Sequence, residues 1–400
     1  MSEWMRTTLG ALCAAGGGSI QTGPFGSQLH AEEYSAAGVP VVMPQDIGEN
    51  TITTVQIARV PPTVAARLER HRLATGDIVF SRRGDVTRRA LVREDSAEWL
   101  CGTGCLRVRP GSAVDSQFLS YLLGTADARD WLLGNAVGTN MLNLNTTILG
   151  RLPLNVPPRP EQQAIAEVLG ALDDKIAANT TLAATVDSYL ATLLDEMASG
   201  VDATTLRSIA DVNRRSAKPV AGGSLRYVDI ASVAVGSFEY PDVSAWSDAP
   251  GRARRGLSAG DTMWSTVRPN RRSHALNLED DALLVASTGL AILSPREVGF
   301  AYLYEASRRA EFTAYLENVA EGSAYPAVRA DRFLEAPVPD LPADRIRTFE
   351  AQAAPLRKLT SSQSRENRTL AAMRDALLPQ LMSGKLRVRD AEALIVQSGV

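Results

Sequence analysis

Gly76-Asp77-Ile78-Val79-Phe80-Ser81 returns as Gly260-Asp261-Thr262-Met263-Trp264-Ser265, 184 positions further on. On either side of this hexapeptide the echo continues. Gly102-Thr-Gly-Cys-Leu-Arg-Val-Arg-Pro110 aligns with Ser287-Thr-Gly-Leu-Ala-Ile-Leu-Ser-Pro295 at an offset of 185, and Ala136-Val-Gly138-Thr139 aligns with Ala320-Glu-Gly322-Ser323. Pro153 meets Pro337, Leu193-Leu194 meets Leu377-Leu378, and Met197-Ala-Ser-Gly200 meets Met382-Ser383-Gly384. A nearly constant offset of this length means two domain-sized copies, not a solenoid of short repeats.

Composition fits two ordinary cores. The chain has 400 residues, 45% of them hydrophobic, enough to bury both with connecting elements. Apolar runs are broken by charge well before bilayer length, and Met1-Ser-Glu-Trp4 has no signal-peptide pattern, so a cytoplasmic protein without a membrane partner is expected. Cys13, Cys101 and Cys105 lack neighbours that would complete a tetrahedral site, and His30, His71 and His274 are scattered. Reduced buried thiols are the expectation, and no metal.

In each copy the first part carries short apolar runs bounded by Gly and Pro. Val39-Pro-Val-Val-Met43, Asp77 to Ser81, Leu106-Arg-Val-Arg109 and Leu152-Pro-Leu-Asn-Val156 read as strands, and Asp115 to Leu123 as a helix with a counterpart between Gly299 and Leu316. The fold class is therefore α+β: two sheet-containing globular domains joined by two long antiparallel, coiled-coil-like helices, with an internal pseudo-twofold repeat. Segment boundaries are expected at 1–157 and 201–340 for the domains, 158–200 and 341–386 for the helices, and 387–400 for a tail.

The helices announce themselves after proline-rich hinges, Pro157-Pro-Arg-Pro160 and Pro337-Val-Pro-Asp-Leu-Pro342. Ile165, Leu169, Leu172, Ile176, Asn179, Ala183, Val186, Leu190, Leu193 and Met197 step by four and three without a slip, a heptad seam broken only by Asn179. The second seam, through Phe349, Ala353, Leu356, Thr360, Gln363, Asn367, Leu370, Leu377 and Leu381, is less clean. Gln363 occupies the position equivalent to Asn179, and Pro355 and Pro379 should kink or shorten this helix. One amphipathic helix alone would be core packing. Two at equivalent places in a duplicated chain are expected to pair with each other and to hold the domains apart by roughly 55 Å.

No nucleophile elbow, zinc-protease motif or phosphate-cradling loop is present. Asn155-Val-Pro-Pro158 only partly echoes the Asn-Pro-Pro-aromatic motif of amino-methyltransferases, since Val156 intervenes and Arg159 replaces the aromatic. A non-enzyme with no cofactor of its own is expected. What recurs instead is arginine. Arg82, Arg83, Arg88 and Arg89 follow the first hexapeptide, and Arg268, Asn270, Arg271 and Arg272 follow the second, with Arg252, Arg254 and Arg255 just ahead. Net charge is −3, so a nonspecific nucleic-acid coat is disfavoured, but such clusters can bind phosphates and read guanine bidentately. The competing reading is a solvated loop neutralised by Asp85, Glu94 and Asp95.

Thr22-Gly-Pro-Phe-Gly-Ser27, Gly38-Val-Pro-Val-Val42, the Gly-Asp-Ile-Val-Phe-Ser element, Leu-Pro-Leu-Asn-Val-Pro-Pro and Glu161-Gln162 opening a long helix, in this order and repeated once, resemble the specificity subunit of type I restriction-modification enzymes. The resemblance covers almost the whole chain. It implies two target-recognition domains, each reading half of an asymmetric bipartite double-stranded DNA target, with the helices as a ruler. It implies two methyltransferase subunits as partners and two restriction and translocation subunits, with S-adenosylmethionine, ATP and Mg confined to those partners. The second copy departs from the pattern: about a dozen residues matching Thr22 to Tyr34 are missing, and its junction reads Pro342-Ala-Asp-Arg-Ile346. Two other functions stay open, a protein-assembly scaffold that reads no DNA and the specificity chain of a related fused restriction-methylation enzyme.

Overall fold

The computed structural model describes residues 4–138, 141–322 and 325–397. Thr139 and Ser323, the last partners in one repeat match, lie outside them, as do the first three residues and the end of the tail. The chain forms two compact units. The first is Met1–Ile176 with Arg368–Val400, and the second is Ala177–Asn367. Each combines one sheet-bearing domain with a stretch of both long helices.

The duplicated hexapeptide is a central strand in each unit. Ile78–Ser81 lies between Cys105–Gly111 and Arg89–Leu91 in a five-stranded sheet. Thr262–Ser265 lies between Leu290–Pro295 and His274–Leu276 in a four-stranded one. The repeat reaches down to register: Ile78 faces Val108 and Ser81 faces Cys105, while Thr262 faces Leu293 and Ser265 faces Leu290. A second sheet in each unit follows the same rule. Val39–Val42 pairs in parallel with Leu100–Cys101, and Ser224–Val228 pairs in parallel with Leu284–Ser287. A two-stranded ribbon completes each domain, Met5–Thr8 with Pro153–Val156 and Ala203–Thr205 with Pro337–Pro339.

Every position of the hexapeptide has a physical task. Gly76 and Gly260 sit at φ +87° and +90°, where a Cβ would be strained. Asp77 accepts the amide hydrogen of Ala74 at 2.9 Å, and Asp261 accepts that of Ser258 at 2.8 Å. Each aspartate is buried and holds an arginine, Arg109 and Arg215 respectively, at 2.7 Å. Phe80 and Trp264 are fully buried, which anchors the strand by about 2–3 kcal/mol of apolar burial apiece. Ser81 and Ser265 donate to the carbonyls of Arg83 and Val267, both at 2.8 Å, fixing the loop beyond. The motif is a scaffold for that loop.

Both long helices are 40 residues, Arg159–Ala198 and Ala343–Met382. The seam residues serve the domain cores. In the first unit Ile165, Leu169 and Leu172 join Leu370, Leu377, Leu381, Phe80 and Phe118 in one cluster. In the second, Val186 and Leu190 join Phe349, Ala353, Trp264, Tyr302 and Phe312. Ile176, Leu193, Leu356 and Gln363 are half-buried. Contrary to expectation, the second helix is continuous through Pro355 and Pro379. Pro355 is exposed, with buried Phe349 and Ala353 before it, so core packing outweighs the lost hydrogen bond. Pro379 lies in the last turn. Asn179, in the second unit, is buried and donates to Asn367 Oδ1 and Glu366 Oε2, both at 2.8 Å. Gln363 takes no part in this, and its Oε1 is buried without a partner.

The expected helix between Gly299 and Leu316 is two helices, Phe300–Ser307 and Ala310–Asn318. They break at Arg308 and Arg309, whose guanidiniums are drawn to Asp187 and Asp195 on the first long helix. Where the first domain opens with a helix, Leu9–Ala15, the second has a single short turn, Leu206–Ser208.

Candidate nucleic-acid interface

In the first unit, residues 82–88 form the hairpin loop between Ile78–Ser81 and Arg89–Leu91. A second segment braces it: Leu144 N donates to Arg82 O at 2.9 Å and Gly84 N to Leu142 O at 3.1 Å. Arg82 donates through Nε to Leu144 O at 3.3 Å, and its guanidinium lies 5.7 Å from the centre of the Phe25 ring. Arg83 is exposed. The loop's ion pair is Arg88 with Asp85 at 3.5 Å, both solvent-exposed and so weakly held. Two hydrogen bonds from Thr87 help hold the Asp85 carboxyl below its usual range. Glu94 and Asp95, the other expected neutralisers, sit in a separate turn after the hairpin. Residues 82–88 carry three arginines and one aspartate, so the loop itself is net positive.

The second unit repeats the device in a different backbone. Residues 266–273 link Thr262–Ser265 to His274–Leu276, and Arg268 N donates to Pro326 O at 2.7 Å while Val328 N donates to Thr266 O at 2.8 Å. Pro269–Arg271 is a 3-10 turn flanked by Arg268 at φ 53° and Arg272 at φ 55°. Left-handed backbone at two non-glycine residues costs about 1 kcal/mol or more each, strain that the bracing segment supports. Asn270 and Arg271 project into solvent. Arg272 donates to the Arg308 carbonyl at 2.8 Å. His274, directly after the loop, is stacked on Trp264 at 4.8 Å and pushed down to about 4 by burial, so it contributes no charge at neutral pH.

Arg89 is corrected: it is only 4% exposed and donates to Ser120 O at 2.6 Å. Burial lowers it to about 10. It belongs to the strand after the loop, Arg89–Leu91, which is buried along its whole length. Arg252, Arg254 and Arg255 fall in or beside Ala253–Gly256, an edge strand of the second sheet, and not in the hairpin loop. Arg252 alone of the three is fully exposed.

Sequence reasoning passed over the apolar half of this surface. Met141 is 61% exposed, Tyr325 69% and Phe25 52%, large side chains left in solvent beside the arginine loops. Met141 and Tyr325 are 184 positions apart, each three residues after a left-handed glycine, Gly138 and Gly322. That spacing was the available signal. Arginine with exposed apolar side chains on a braced loop is the chemistry that contacts phosphates and base faces together. Among the described residues no group of side chains could hold a metal ion, and no helix is long and apolar enough to cross a membrane.

Two braced basic loops recur on duplicated α+β domains that share two long helices. Residues 1–188, just under half of the chain, match the family model of the type I restriction modification DNA specificity domain. The putative type I restriction enzyme MjaX specificity subunit of Methanocaldococcus jannaschii is 27% identical over 146 residues, 35% of this chain. The match spans 34% of that relative, about a third of its length. The crystal structure of the type I restriction-modification S subunit from M. genitalium matches with a TM-score of 0.59 at 16% identity, over 94% of this chain and 96% of that one. This second match speaks for the fold, and it includes the second copy.

Proposed function

We propose that this chain is the DNA-reading subunit of a type I restriction-modification complex, recognising an asymmetric bipartite target with one half-site per domain. The observation that carries the reading is the recurrence of an arginine loop at the same register in both domains, on a motif whose residues are spent on bracing it. The loops differ in backbone and residue type, Arg-Arg-Gly-Asp against Arg-Pro-Asn-Arg-Arg, as two different half-sites require. Chemistry would reside in partners. Two adenine methyltransferase subunits would use S-adenosylmethionine, and two restriction subunits would use ATP and Mg, in the cytoplasm. Pseudo-twofold repetition supports this stoichiometry, because two similar faces suit two identical partners.

The test is single-molecule sequencing of the host genome, scoring methyladenine with and without this chain. A bipartite motif whose methylation disappears on deletion is expected. An unchanged methylome in a strain that expresses the partners would reject the proposal in favour of an assembly scaffold.

A further inference from the structure

A partly buried polar cluster lies where the long helices meet each domain, and its polarity is opposite in the two units. In the first unit, Asp173 on the first helix meets Arg374 on the second at 2.8 Å and accepts from the hydroxyl of Tyr121 at 2.5 Å. Arg374 also touches exposed Asp375, and Arg93 pairs with Asp174 alongside. In the second unit, Arg357 on the second helix meets Asp187 on the first at 2.9 Å. Arg357 also holds Glu305 through Nε at 2.8 Å, and Arg308 joins both carboxylates, at 2.6 Å to Asp187 and 2.8 Å to Glu305. Tyr304 lies beneath, its ring centre 4.8 Å from the Arg357 guanidinium and 5.4 Å from that of Arg308.

The repeat makes these clusters counterparts. Tyr121 and Glu305 are 184 positions apart, as are Asp173 and Arg357. At the same place the helix leaving its own domain carries an acid in the first copy and a base in the second. The crossing helix answers with the opposite sign, Arg374 in one unit and Asp187 in the other, displaced by one helical turn in the alignment. Such a pattern is neutral only when unlike halves meet. Were the first half to pair with the first half of another copy, Asp173 would find Asp187 within a turn and no arginine from the crossing helix. Were two second halves to pair, Arg357, Arg308 and Arg374 would crowd around the single carboxylate of Glu305. A duplicated chain is open to such like-with-like pairing, because both halves share one fold.

We infer that these ion pairs key the first half of the chain to the second and exclude pairing between identical halves of two copies. Partly desolvated charges of this kind contribute more to partner choice than to stability, since desolvation offsets part of their attraction while a mismatched partner meets like or unpaired charge.

The test uses the full chain with Asp187→Arg and Arg374→Asp together. This variant sets like charges within each unit and opposite charges between identical halves. Native mass spectrometry at micromolar concentration should show a dimer absent from the wild type, with intermolecular cross-links joining first half to first half. A variant that stays monomeric, whatever its stability, overturns the inference. Should the double variant not fold, two milder variants decide. Arg374→Asp alone should lower Tm and add a dimeric fraction, and Asp173→Arg with Arg374→Asp should restore the wild-type Tm. Equal loss in both would refute the keyed pairing.

Discussion

The guanidinium of Arg268 lies 4.8 Å over the ring centre of Tyr325, joining a residue of the strained hairpin turn to one of the segment that braces it. Stacking of this kind restrains a long side chain at an exposed site, and is worth about 0.5–1 kcal/mol. Tyr325→Ala should therefore weaken binding to the second half-site by roughly 2- to 5-fold, with Tm unchanged, in titrations against the cognate duplex. A loss of Tm with unchanged affinity would assign the ring to folding.

Arg83 and Arg271 carry the sharper expectation. If either reads a base, its replacement by alanine costs about 1–3 kcal/mol and relaxes one position of one half-site. A phosphate contact instead weakens every sequence alike and lowers the salt slope by about one. Competition titrations with single-base variants of the target separate the two, and uniform weakening by both substitutions would remove them from the reading set.

For Arg89 the expectation is reversed. Its alanine variant leaves the Ser120 carbonyl unpaired and empties the space beneath the hairpin, which should cost about 2–4 kcal/mol. The correctly folded fraction should bind DNA with wild-type sequence preference. An unchanged melting curve combined with lost affinity would return Arg89 to the interface.

Two buried histidines make stability depend on pH. Burial pushes His274 down to about 4, and burial followed by the charge of Arg70 does the same to His71. Between about 4 and the ordinary value near 6.5 the unfolded chain binds more protons than the folded one, so stability rises with pH. Expressed downward, stability present above about 6.5 is lost as pH falls toward 4. Melting scans across this window should show the decline, and His274→Gln should flatten it by about one proton. A slope independent of this substitution would contradict the buried neutral imidazole.

How far the sequence could be read depended on the kind of interaction. The duplication, the strand built on Gly76 to Ser81 and the seam from Ile165 to Met197 all rest on local periodicity, and each appears where its pattern places it. The continuity of the second helix did not show, because Pro355 is tolerated only through the core contacts of Phe349 and Ala353. The hydrogen bonds of Asn179 to Asn367 and Glu366 depend on how two distant segments cross. Within the arginine clusters residue type could not separate exposed Arg83 from buried Arg89. That distinction is set by where the hairpin loop ends, since Arg83 lies within it and Arg89 opens a strand buried along its whole length.

The first unit is assembled from residues at both extremes of the chain, Met1–Ile176 and Arg368–Val400, and a Cβ added at Gly384 would lie 3.4 Å from the Trp4 ring. Both extremes of the described chain thus contribute to the same unit. Removing the residues after 367 would injure the domain written first, not the one written last. Joining the two ends and cutting near Gly200 would exchange the order of the halves while leaving every contact described here available. The order in which the two copies follow one another along the chain is therefore not a requirement of the fold.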